Sequence, residues 1–174
     1  MALGKQAYKI VVADDHAIFR SCLVAVLEKQ PDMTVVKEVG DGELAVEAIL
    51  ELNPDIVLMD LAMPGYNGVQ AIETIKQQKP QTKAIALTIH KQEDYIRAAF
   101  HAGADGYVLK DDEIEEIYVA IRSVLSGRTY ISPSISNKML TEFLRASKHK
   151  PANSSWEGLT AREREVIKLV AEGM

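Results

Sequence analysis

The sequence has a single cysteine, Cys22, in 174 residues. No internal disulfide is possible, which fits a reducing compartment and excludes a disulfide-stapled secreted scaffold. No apolar run approaches the roughly 18–20 residues that a membrane span needs. The first nine residues hold no apolar stretch of the kind that opens a signal peptide. Basic residues are not in excess: the formal net charge is -5, whereas a free-standing nucleic-acid binder is usually basic. Low-complexity segments and long internal repeats are missing too. What remains is 47% hydrophobic and 26% charged, the composition of a globular chain long enough for one ordinary domain and an appendage. A soluble cytoplasmic protein with no membrane partner is the expectation.

Five short apolar runs punctuate the first two thirds of the chain. Ile10–Ala13 ends at Asp14-Asp15, and a more polar run covers 35–39. Ile56–Met59 ends at Asp60, Ala84–Leu87 at Thr88, and Tyr107–Leu109 at Lys110. Several are apolar at every position, as parallel strands buried on both faces are. Amphipathic stripes alternate with them: Phe19, Cys22, Leu23, Val26, Leu27; then Leu44, Ala45, Ala48, Ile49, Leu52; then Val69, Ile72, Ile75; then Ile96, Ala99, Phe100; then Ile114, Ile117, Ile121, Leu125. Gly103 stands where a helix C-terminal cap belongs. Strand–helix repeated five times predicts a parallel α/β sheet with right-handed crossovers and helices on both faces.

The rhythm breaks at 127–131. Ser132-Pro133 reads as an N-cap followed by proline at the first helical position, opening a linker helix over 133–146 with Ile135, Met139, Leu140 and Phe143 as its stripe. A polar stretch over 148–158 reads as a flexible connection. Thr160-Ala161-Arg162-Glu163 then forms a capping box, with Val166, Leu169 and Val170 as an apolar face behind it.

The chemistry sits at the strand ends. In an open parallel sheet the C-terminal strand ends share one edge, and ligands bind there at the topological switch point. Asp14, Asp15, Asp60, Thr88 and Lys110 all occupy that position. Any one alone is weak: Asp14 or Asp15 reads first as a helix cap, and Lys110 as a solvated lysine. Together, three carboxylates invite a hard divalent cation, a carboxylate can attack phosphorus, and an ammonium offsets phosphoryl charge. The set is complete for metal-dependent phosphorylation of one aspartate.

Asp14-Asp15, Leu58-Met59-Asp60, Met63-Pro64-Gly65 with Gly68, Thr88, and Tyr107-x-x-Lys110 resemble the signature of two-component receiver domains over about residues 8–127. The resemblance implies a flavodoxin-like (CheY-like) doubly wound five-stranded parallel sheet of order 2-1-3-4-5. It implies that Asp60 accepts a phosphoryl group from a sensor histidine kinase. It further implies that Asp14, Asp15, Asp60 and the Ala62 backbone carbonyl hold Mg²⁺ or Mn²⁺, and that Lys110 pairs with the phosphoryl group. Thr88 and Tyr107 form the switch, the ring turning inward behind the hydroxyl. Ala62 and His90, two residues past the acceptor and the switch threonine, tune dephosphorylation; Ala62 points to slow turnover and His90 against it.

Residues 159–174 resemble the opening helix of a LuxR-type helix-turn-helix domain, so the whole resembles the NarL/FixJ class of response regulators. The expected organisation is a receiver over 8–127, a linker over 128–158, and the truncated start of a DNA-binding domain over 159–174. Recognition by that motif needs its second helix, so DNA is expected as a partner of a full-length protein only. Phosphorylation is expected to reshape the fourth and fifth strand–helix units and to favour self-association or release of the tail. Two other readings compete. An aspartate-nucleophile phosphatase of the haloacid-dehalogenase type would want an acid–base aspartate where Ala62 stands. A phosphorylation-independent interaction module would leave the acidic cluster unused. The expected role is therefore regulatory rather than enzymatic. His16, His101 and His149 show no metal-ligand spacing, and the methionines read as packing.

Overall fold

The computed structural model describes residues 7–137. Along these the order is β1 (Tyr8–Ala13), α1 (Ala17–Leu27), β2 (Met33–Val39), α2 (Gly42–Leu52), β3 (Ile56–Asp60), α3 (Gly68–Gln78), β4 (Lys83–Thr88), α4 (Glu93–His101), β5 (Gly106–Leu109), α5 (Ile114–Leu125) and β6 (Tyr130–Ile131). All strand pairs are parallel, in the order β2-β1-β3-β4-β5-β6. This is the expected doubly wound receiver fold, with one strand more than the five anticipated. β6 is two residues long, too short to carry a hydrophobic period, which is why the rhythm seemed simply to break there.

The all-apolar strands are explained by two separate cores. Val11, Ala13, Val57, Met59, Ala84 and Ala86 pack with α2, α3 and α4 on one face. Their neighbours Ile10, Val12, Ile56, Leu58, Ile85 and Leu87 pack with α1 and α5 on the other. Alternating side chains thus enter opposite cores, and each large aliphatic group contributes about 1.5–3 kcal/mol. Two stripe positions depart from expectation. Cys22 is exposed and Leu44 is 47% exposed, because the buried faces of these helices are narrower than the stripes drawn on them.

Local signals set the helix ends. The Asp41 side chain accepts from Leu44 N at the start of α2, and Asn67 with Gln70 closes a capping box on α3. Neither Asp14 nor Asp15 caps α1; His16 holds that position, without a side-chain bond to the helix. Gly103 follows α4 with φ of 99°, a left-handed conformation that ends helices readily only at glycine.

The segment after α5 is tied into the sheet. Ser132 is fully buried; its amide and hydroxyl both donate to Tyr107 O, at 3.0 and 3.4 Å. Its hydroxyl also accepts from Leu109 N at 3.2 Å. Residues 133–137 are helical, and Ile135 and Ser136 donate back to Ser132 O. The Ser132 backbone therefore opens the turn, while its hydroxyl serves β5 rather than the helix. The rest of the span expected as a linker helix, 138–146, and the segment 159–174 lie outside the described residues, as do His149 and Trp156.

At the opposite edge of the sheet from the strand C-termini, Asp105 is 4% exposed. It accepts from Lys76 Nζ at 2.6 Å, Ala84 N at 3.0 Å and Lys83 Nζ at 3.3 Å. Burial pushes its carboxyl up, but the Lys76 hydrogen bond and charge, the Ala84 amide and the Lys83 charge together hold it below the usual carboxylate range. A depressed folded value gives stability that is present above the unfolded value, about pH 4, and is lost as pH falls through the folded one. Asp105→Asn should therefore cost about 3 kcal/mol at neutral pH, because it removes the buried carboxylate charge that faces Lys76 and Lys83. In urea unfolding, the gap between wild type and variant should shrink below pH 4.

Candidate functional site

Parallel strands bring four functional ends to one edge. Asp14 follows β1, Asp60 closes β3, Thr88 closes β4 and Lys110 follows β5. β1 pairs with β3, so the chain reverses direction across the sheet between Asp14 and Asp60, the crevice where open α/β sheets bind ligands. Register keeps the edge level: Asp60 faces Leu87, Thr88 faces Leu109, and Lys110 N donates to Thr88 O at 2.8 Å.

Lys110 links the carboxylates. Its Nζ lies 2.6 Å from Asp60 Oδ2 and 2.7 Å from Asp14 Oδ2. The latter pair interacts by charge without hydrogen-bond geometry, so Asp14 Oδ2 is a buried oxygen with no hydrogen-bond partner. The Phe19 ring lies beneath the ammonium, 5.1 Å from its centroid. Asp14 and Asp60 side chains are buried, while that of Asp15 is 30% exposed. Asp60 Oδ1 accepts from Ala62 N at 3.0 Å. This fixes one carboxylate oxygen on the backbone and leaves the other facing Lys110.

Carboxylate oxygens of Asp14, Asp15 and Asp60 and a ring nitrogen of His16 all lie within 4.8 Å of one another. Lys110 supplies one positive charge against three carboxylates. That residual charge, with the unbonded Asp14 oxygen, makes the pocket compatible with a divalent cation. Sequence reading passed over His16; the signal available was its position directly after the aspartate pair. Arg20 was also missed. Its guanidinium donates to Asp14 O and lies 3.5 Å from Glu38, bracing the loop that carries the aspartates.

The other anticipated residues form a second group behind Thr88. Its buried hydroxyl accepts from His90 N at 3.2 Å. Tyr107 is fully buried and its hydroxyl donates to His90 O at 3.0 Å. Burial first, then the nearby Tyr95, push that phenol well above its ordinary value. The ring is thus already inward here. The His90 ring stacks on Tyr95 with centroids 3.9 Å apart and planes 5° from parallel, so its face is taken by α4.

Gly68 sits directly on the acidic strand end. A Cβ there would fall 2.8 Å from both Asp60 C and Leu61 Cα, and closer still to Asp60 O.

Residues 10–122 match the family model described as the response regulator receiver domain. Over 168 residues the chain is 39% identical to the oxygen regulatory protein NreC of Staphylococcus aureus, covering 95% of this chain and 77% of that protein. Among solved structures it is similar to a LuxR-family two-component response regulator from Aurantimonas sp. SI85-9A1. There the TM-score is 0.77 and the identity 34%, over 80% of this chain and 99% of that one. A LuxR-family DNA-binding response regulator from Staphylococcus aureus gives a TM-score of 0.65 at 29% identity, over 68% of this chain and 98% of that one. No described helix is long and apolar enough to cross a membrane.

Proposed function

We propose that this chain, which belongs to the response regulator receiver family, is switched by phosphorylation of Asp60 from a sensor histidine kinase. The observation that carries the reading is the Asp60 carboxylate, held by Ala62 N on one oxygen and by Lys110 on the other, beside two further carboxylates. In the reaction the Asp60 oxygen that faces Lys110 bonds to phosphorus while the bond from phosphorus to the donor's imidazole nitrogen breaks. The donor nitrogen then takes its proton from solvent. Lys110 moves its charge from the carboxylate to the incoming phosphoryl oxygens. Asp14, Asp15, Asp60 and the Ala62 carbonyl are the residues that would hold Mg²⁺ or Mn²⁺. When bound, that ion supplies charge neutralisation for the phosphoryl group.

The Thr88 hydroxyl leaves the His90 amide, from which it accepts, to donate to a phosphoryl oxygen, and this loosens the loop to which Tyr107 is bonded. Because Tyr107 also bonds Ser132, the change reaches the residues that lead out of the receiver. Output is DNA binding by residues beyond the receiver in a full-length protein, assisted by self-association. Ala62 offers no side chain to hold an attacking water, and the His90 ring is engaged with Tyr95; both favour a long-lived phosphoryl group. The regulatory reading is preferred to an aspartate-nucleophile phosphatase because Ala62 supplies no general acid–base group.

The test is intact-mass analysis after incubation with a small acyl phosphate, with and without Mg²⁺. A single phosphate adduct that requires the metal is expected; no adduct under any condition would favour a phosphorylation-independent module. Lys110→Ala should slow adduct formation by roughly 10²–10³-fold, as loss of one preorganised charge at a reacting centre does.

A further inference from the structure

The turn between β5 and α5 carries Lys110 on one side and meets the start of the linker on the other. Asp112 closes this turn. Its amide donates to Leu109 O at 3.2 Å, and its Oδ2 accepts from Leu109 N at 3.2 Å. Its second oxygen, Oδ1, accepts from the Ser134 hydroxyl at 3.1 Å. The Leu109 amide is shared, since Ser132 Oγ also accepts from it at 3.2 Å. One backbone amide and one carboxylate thus join the end of β5, the residues before α5, and the helical turn over 133–137.

Lys110 is the residue next to the shared amide. Its own amide is fixed to Thr88 O at 2.8 Å, and its ammonium bridges Asp60 and Asp14 at 2.6 and 2.7 Å. The placement of that ammonium depends on how the turn is held. With one oxygen on Ser134 and the other on Leu109 N, the Asp112 carboxylate has its rotation fixed. Without the Ser134 hydroxyl, Oδ1 is left to find another donor. Asp112 and Lys110 line the same groove beside α1, together with Phe19 and Ile114. A carboxylate turned towards Lys110 would draw the ammonium off Asp60 by the same attraction that now holds it there.

We propose that Ser134, in the linker, is a positioning residue for the reaction at Asp60: its hydroxyl holds the Asp112 carboxylate on the Leu109 amide and away from Lys110. The inference rests on the phosphorylation reading given under Proposed function. It makes the first turn of the linker a working part of the site, although Ser134 is itself exposed and follows the last strand of the sheet. Whatever lifts Ser134 from Asp112 also weakens the hold on Lys110.

The experiment measures the rate of adduct formation from a small acyl phosphate in Mg²⁺ by intact mass. It uses the whole chain as wild type, Ser134→Ala, Ser134→Thr, Asp112→Ala, and the double variant Ser134→Ala with Asp112→Ala. Ser134→Ala should slow the reaction about fivefold, the worth of one net hydrogen bond, and Ser134→Thr, which keeps the hydroxyl, should restore it to within about twofold. Asp112→Ala removes the competing carboxylate, so Ser134→Ala should make no further difference in that background. An unchanged rate in Ser134→Ala, a Ser134→Thr rate as slow as that of Ser134→Ala, or a Ser134→Ala effect of equal size with and without Asp112, would overturn the proposal. Absence of any adduct in wild type would instead overturn the phosphorylation reading beneath it.

Discussion

Asp60→Asn removes the phosphate adduct completely and leaves the fold at least as stable as wild type. The amide is isosteric, and its oxygen can still accept from Ala62 N, which now bonds Asp60 Oδ1 at 3.0 Å. What disappears is the anionic oxygen that attacks phosphorus, and no rotation of an amide restores it. Stability does not fall, because the native cluster sets three carboxylates against one ammonium. Lys110 keeps Asp14 Oδ2 at 2.7 Å, so the lysine is not left unpaired. Relief of like-charge repulsion should raise unfolding stability, and most strongly at low ionic strength, where screening is weakest. The checks are intact mass after acyl-phosphate treatment and urea midpoints at two salt concentrations. A persisting adduct would move the acceptor to Asp14 or Asp15.

Gly68→Ala should damage fold and site together. Its new methyl would stand 2.8 Å from Asp60 C and Leu61 Cα, and both are backbone atoms that cannot turn aside as a side-chain tip can. Relief requires moving either the start of α3, which the Asn67–Gln70 capping box fixes, or the end of β3, which pairs with β4 through Asp60. The expected cost is about 3 kcal/mol, the upper range for inserted volume in a packed interior. Adduct formation should slow even under conditions where the variant remains folded, since any shift of β3 moves Asp60 away from Lys110. Gly65→Ala is the comparison: a Cβ there meets nothing within 4 Å, so only the strain of its φ of 74° applies. Adduct formation should then stay near the wild-type rate. Thermal unfolding and adduct kinetics on the two variants separate close approach from backbone strain.

The contrast between what the sequence disclosed and what it concealed follows from the length over which each signal is spread. Strand ends were readable because each apolar run is fed by two cores and then stops at a polar residue, so Asp14, Asp60, Thr88 and Lys110 mark their own positions. β6 was not readable, since two residues carry no period and their pairing with Gly106 and Tyr107 is decided by the partner strand. The Ser132 hydroxyl looked like a helix cap because Ser-Pro is a local signal, whereas its bonds to Tyr107 and Leu109 are made across more than twenty residues. Cys22 and Leu44 fit a helical period but stand at the margin of it, and only the partner surface decides which margin is covered. His16 gave no spacing of its own; it joined the cluster only when Asp60, 44 residues away, was folded against it. The inward ring of Tyr107 depends on the hydrogen bond to His90 O, which no pattern in the chain announces.

Reductive trapping tests the central claim most directly. Borohydride converts an acyl phosphate on aspartate to homoserine, and peptide sequencing by mass spectrometry then reads the position. After acyl-phosphate treatment in Mg²⁺, the account predicts homoserine at position 60 and nowhere else, with none formed when the metal is removed. Homoserine at position 14 or 15, or a phosphate adduct that yields no homoserine at all, would contradict it.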